Sequence, residues 1–211
     1  MKRILPPIVL ALFASTGALA TPRLEPCDKG FLDEYNERVE AIAQSAMPGP
    51  PEFWVTAIPS FTPEWSVGLT TVNGRHLLTH VELDRSFWHS SWVESGPSQR
   101  INDPSKGYAK AKARTAVISA ALRDALRTEW EKSINAARNS ETYGFDGETY
   151  LFHLPGKCAS TWSPDAGTRS KKLVELVEQL ARLARARGKA PDSKKEAKVL
   201  ASIRDLPKLV D

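Results

Sequence analysis

The groups in this sequence whose chemistry reaches beyond packing are four histidines, two cysteines and a set of acids among tryptophans. His76 and His80 have the spacing that would bring two zinc ligands together on a helix. The run that holds them, Arg75 to Leu83, alternates like a strand, which sets their backbones roughly 13 Å apart. The Glu that follows the first His in a zincin is also missing. No metal and no cofactor is expected from this pair, and only a site borrowing His89 or His153 from elsewhere stays open. Cys27 and Cys158 are the only cysteines, with no CxxC redox motif. In an oxidising compartment they are expected to pair as a structural bridge. Closing so long a loop is ideally worth roughly 4–5 kcal/mol. A nucleophilic cysteine finds no support in the sequence around either residue.

Glu82, Asp84, Glu94 and Asp103 lie in or beside a stretch that also carries Phe87, Trp88 and Trp92. Two carboxylates across a cleft lined with aromatic rings would suit a glycan-acting hydrolase of the cell envelope, and a solvated rim would look the same. No serine sits in a nucleophile elbow. Gly156-Lys157 and Gly188-Lys189 lack the rest of a phosphate loop. Residues 84–108 read as a long loop, and long ordered loops in compact domains are often functional. Trp88, Trp92, His89 and Glu94 are therefore the candidate binding residues, against the plainer alternative that both indoles pack over a sheet end. No catalytic residue is assigned.

The amino terminus and the charge balance set the setting for these groups. Lys2 and Arg3 precede an apolar run, and Ala18-Leu19-Ala20 fits a signal-peptidase site. Export across a bacterial-type inner membrane is expected, with Thr21 first in the mature chain, and with membrane contact only during export. The first cysteine lies seven residues past Ala20, which argues against a lipid anchor. The net charge of +4 is divided unevenly. Residues 171–211 carry 11 Lys/Arg against 6 Asp/Glu, and residues 21–170 carry 16 against 19. A weakly acidic body with a basic end is not the pattern of a nucleic-acid binder. Lys171, Lys172, Arg182, Arg185, Arg187 and Lys189 form a basic helix face that suits a solvated surface, an anionic lipid or an acidic partner.

The elements that must position all this are legible in part. Phe31 to Ala46 has helical spacing, ended by Pro48 to Pro51. Phe53 to Ile58 reads as a strand. Asn73-Gly74 between two β-rich runs predicts a type I′ hairpin. That turn pairs Val72 with Arg75, Leu69 with Leu78, Val67 with His80 and Trp65 with Glu82. Leu69, Leu78, Val67 and His80 then share one face, and Thr70, Leu77, Ser66 and Val81 the other. Ala109 to Asn139 reads as the main helix, with a stripe of Ile118, Leu122, Leu126, Trp130 and Ile134. A second hairpin is expected at Asp146-Gly147, pairing Tyr143 with Tyr150. Trp162 is expected to shield the cysteine bridge. Lys171 to Arg187 is strongly amphipathic, and Ser193 to Leu206 suits a short helix that docks or frays.

Phe145-Asp146-Gly147-Glu148-Thr149-Tyr150-Leu151-Phe152 and the Cys158 to Pro164 stretch resemble hairpins of small secreted proteobacterial proteins of unknown role. That resemblance implies no activity and no functional residue. The expected architecture is a single α+β domain, a small antiparallel sheet with amphipathic helices packed on it and one disulfide. Residues 1–20 form the signal, 21–190 the domain and 191–211 a basic carboxyl segment. The expected role is a non-catalytic periplasmic or secreted protein that binds another macromolecule, as an accessory or inhibitor/immunity-like partner of an envelope protein.

Overall fold

The computed structural model describes residues 24–27, 33–88, 92–94, 100–102, 109–139, 147–186 and 188–206. The expected signal segment, His89 and Asp103 lie outside them. Among the described residues the chain is a single α+β domain with one disulfide. Its antiparallel sheet has seven strands in the order β1-β9-β8-β2-β3-β4-β7. These are β1 (Glu25–Pro26), β2 (Phe53–Pro59), β3 (Trp65–Val72), β4 (Arg75–Leu83), β7 (Ala111–Ile118), β8 (Glu148–Leu154) and β9 (Lys157–Trp162). A separate ribbon joins β5 (Trp92–Glu94) to β6 (Arg100–Asn102). Four helices accompany them: α1 (Asp33–Ser45), α2 (Ala120–Asn135), α3 (Arg169–Arg185) and α4 (Ser193–Asp205).

The Asn73-Gly74 hairpin forms in the expected register, from Val72 opposite Arg75 to Trp65 opposite Glu82. Both turn residues have positive φ, 51° and 73°, as a two-residue turn matched to the strand twist requires. The two faces of the sheet are covered unequally. Phe53, Val55, Val67, Leu69, Leu78, Tyr150 and Phe152 form one core with α2, α3 and α4. On the opposite face, Tyr35 and Val39 of α1 meet Leu83 and Phe87, and Ala43 and Met47 cover Val81.

Two sequence expectations are corrected. Ala109 to Asn139 is not one helix: Ala111–Ile118 is an edge strand paired with β4, and the helix starts only at Ala120. Alanines beside Lys112 and Arg114 imitate a helix, but Thr115, Val117 and Ile118 suit a strand. Ser119 then caps the helix, its side chain accepting from the Leu122 amide at 3.2 Å. The second correction concerns Tyr150. Its neighbours are Ala57 on β2 and Thr161 on β9. Both edges of β8 are thus occupied at Tyr150, and Tyr143 lies outside the described residues. The hairpin that does form turns at Pro155-Gly156, with Gly156 at φ 75°.

The carboxyl segment forms a docked helix. Val199, Ile203 and Leu206 enter the main core. Glu196 is buried and reaches Ser119, accepting from its amide at 3.0 Å and its hydroxyl at 2.5 Å. One carboxylate on α4 thereby satisfies groups at the start of α2 that a helix leaves open.

Candidate functional site: a groove between the sheet and the third helix

The described residues place the sequence candidates in different surroundings. Trp88 is half-buried, its ring edge-on to Tyr35 at 5.3 Å. Glu64, fully buried, holds this turn in place. It accepts from the Tyr35 hydroxyl at 2.5 Å, the Phe87 amide at 2.7 Å, the Trp88 amide at 3.2 Å and the Ser86 hydroxyl at 3.3 Å. Burial and this carboxylate hold the Tyr35 phenol far above its usual range. Trp88 is thereby packed against Tyr35 in this turn. Trp92 and Glu94 lie on β5, opposite Asn102 and Arg100. Asp84 is committed elsewhere, accepting from the Lys110 amide at 2.8 Å, a bond that leads in lowering its carboxyl pKa. Glu64→Gln should cost about 1–3 kcal/mol, because several donors lose a charged acceptor in a dry site. Near-UV circular dichroism of the Trp88 environment should fade at a lower urea concentration than in the parent protein.

The disulfide forms between Cys27 and Cys158, with their Cα atoms 5.3 Å apart. Its neighbour is not Trp162, which packs over Gly147 at the other end of β9. Instead, the β8–β9 register sets His153 opposite Cys158, with Nε2 3.8 Å from Sγ. Sequence reading missed this pairing because it placed the hairpin turn at Asp146-Gly147. The same Nε2 lies 2.6 Å from Glu40, and Trp54 stacks parallel on the imidazole at 4.6 Å. A nucleophile–base–orienter relay needs both ring nitrogens, one for each neighbour. Here one nitrogen serves sulfur and carboxylate alike, so the arrangement shields the bridge and ties α1 to the sheet.

The most distinctive polar geometry lies on the opposite face. There a groove of about 300 Å³ opens between the sheet and α3, lined by Trp65, His80, Glu82, Glu178, Arg182 and Arg185 among others. The hairpin register puts Trp65, Glu82 and His80 side by side. Glu178, Ala181, Arg182 and Arg185 follow at helical spacing along one side of α3. Across β4–β7, Arg114 stands opposite His80 and Lys112 opposite Glu82. Trp65 is fixed between His80 at 5.7 Å and Tyr150 at 6.1 Å. His80 is only 3% exposed yet forms no hydrogen bond among the described residues.

Comparison with known proteins finds no matching family model, no matching curated protein and no matching solved structure. The groove must therefore be read from its own chemistry. Among the described residues, no three His, Cys, Asp or Glu side chains gather to hold a metal ion. His76 is engaged with the Thr71 hydroxyl at 2.9 Å, away from His80's surroundings. Among the described residues, no serine or cysteine lines the groove.

Burial, followed by Arg185 and Arg114, pushes His80 from 6.5 down to about 4. The charged groups around it are Glu82 on its own strand, Arg114 and Lys112 on β7, and Glu178, Arg182 and Arg185 on α3. Between pH 6.5 and 4 the unfolded chain takes up a proton that the folded imidazole refuses. Stability from His80 is thus complete above that window and falls as pH drops through it, by on the order of 3 kcal/mol. Urea midpoints compared between the parent and His80→Gln should differ in slope over that window and run parallel above it.

Proposed function

We propose that this chain is exported, trimmed after Ala20, and acts outside the cytoplasm as a non-catalytic protein that binds another macromolecule. The partner would be an envelope or periplasmic protein, met in an accessory or inhibitor/immunity-like role. The observation that carries this reading is the open groove beside α3. It combines an aromatic wall at Trp65 with an imidazole that has no hydrogen-bond partner among the described residues and the guanidinium groups of Arg182 and Arg185. Polar and aromatic groups that converge in an open concavity suit recognition of a partner. The disulfide supports the compartment, since such bridges persist where the surroundings oxidise.

The test is capture from a periplasmic extract on the immobilised, oxidised protein, run beside an Arg114→Glu/Arg185→Glu variant of confirmed fold. A protein retained in fixed ratio by the parent and about tenfold less by the charge-reversed variant is expected, since interface charges govern encounter and specificity. Retention of no protein, or equal retention by both, would contradict the role or its location. Release of soluble sugar from envelope glycan by the parent would replace the reading with the hydrolase.

A further inference from the structure

We infer that the groove beside α3 takes the carboxylate end of a peptide, seated at His80 between Arg114 and Arg185, with the peptide body lying along Trp65. This rests on the groove being a recognition surface, and it names the chemistry recognised there.

Four observations lead to it. The first is His80 itself. Its ring is largely buried, and a ring nitrogen that opens into a groove without a protein partner is available to bond a ligand. His80 lines the groove and has none among the described residues. Its neutral ring keeps one N–H to donate, and burial maintains that form.

The second is the arrangement of cations. Arg114 stands directly opposite His80 on β7, and Arg185 of α3 lines the groove beside it. Neither has an ion-pair partner among the described residues. Guanidinium groups on both sides of one imidazole favour an anion there, and their planar forks match a carboxylate.

The third is the arrangement of acids, which chooses among anions. Glu178 is tied to Arg182 at 3.6 Å, and Glu82 stands opposite Lys112. These carboxylates line the same groove. They oppose a doubly charged phosphate more strongly than a singly charged carboxylate. They also offer acceptors for amide N–H groups of a peptide running out of the site.

The fourth is shape. Trp65 gives an apolar wall beside the polar end, and about 300 Å³ is the lower end of the range for small-ligand sites. A short peptide end fits this space, with the rest of the partner chain left outside.

The experiment uses the oxidised protein and three probes: N-acetyl-trialanine with a free carboxylate, the same peptide as its carboxyl-terminal amide, and inorganic phosphate. The ring protons of His80 are followed by NMR, with His80→Asn used to assign them. The free-carboxylate peptide should shift them saturably, and the amide should bind about tenfold more weakly, as expected when a charge-assisted pair is removed. Arg185→Gln should weaken the acid peptide by a similar factor while its other histidine signals stay in place. Binding should also raise the pH at which His80 titrates, a response that simple loss of packing would not produce.

Equal affinity for acid and amide, tighter binding of phosphate, or no movement at His80 in the folded protein would each overturn the inference. Partner capture that survives Arg185→Gln while the peptide moves nothing would keep the binding role and remove this site. No capture by the parent protein together with saturable peptide binding at His80 would remove the binding role and keep this site.

Discussion

The Cys27→Ser/Cys158→Ser variant is expected to lose about 2–5 kcal/mol of stability, the usual cost of removing a native bridge from a small domain. The bridge spans 131 residues, so opening it frees a large part of the unfolded chain. The folded side of the balance suffers as well. β1 is two residues long and pairs only with β9. Its hold on the sheet includes the Cys27 amide to the Cys158 carbonyl at 3.3 Å. Just before it, Leu24 is buried in the main core and accepts from the Arg138 amide at 3.0 Å. Without the bridge, Leu24 and the short pairing with β9 are left to hold this segment. Urea unfolding of the parent should shift to a lower midpoint on adding reductant, and the double variant should not respond. An unchanged parent midpoint under full reduction would show that the bridge is incidental to folding.

The second large effect is Trp130→Ala, expected to cost about 3–5 kcal/mol, as large aromatic truncations in packed cores do. Trp130 is 1% exposed and joins α2 to the middle of the sheet. Its ring stacks on Phe53 at 4.9 Å and lies 5.7 Å from Phe152. Its indole N–H has no hydrogen-bond partner among the described residues. The loss should therefore come from area and cavity, with no hydrogen bond to forfeit. Trp130→Phe should accordingly recover more than half of it. A Phe variant as damaged as the Ala variant would mean that the indole N–H matters after all. Denaturant midpoints of the three proteins decide between these outcomes.

What the sequence reveals here follows the range of the interaction. The Asn73-Gly74 hairpin was legible to the residue because a two-residue turn sets its own register, and the faces of Val67, Leu69, Leu78 and His80 followed from it. The two carboxyl-terminal helices were legible from Leu173, Leu176, Val177 and Leu180 and from Val199 and Ile203, which are buried as their spacing implies. The stretch Ala111–Ile118 was not, because its Ala, Lys and Arg residues favour a helix and it leads straight into the stripe of the next one. Its identity depends on pairing with β4, a tertiary event.

The groove was legible only in halves. Trp65, Glu82 and His80 on one strand pair, and Arg182 and Arg185 on one helix, each stood out locally. That α3 lies over this part of the sheet is fixed by packing across the core. The edge strand that supplies Arg114 was itself misread as helix. His153 beside Cys158 escaped for a related reason: the hairpin turn was placed at the wrong Gly.

The central claim is that this polypeptide reaches an oxidising space and closes there through its two cysteines. Mass spectrometry of the protein released by osmotic shock from a bacterium making the full chain tests it directly. The account predicts a product that starts at Thr21, with the Cys27 and Cys158 peptides covalently joined. A product retained in the cytosol, still carrying Met1 and taking up alkylating agent at both thiols, would contradict it.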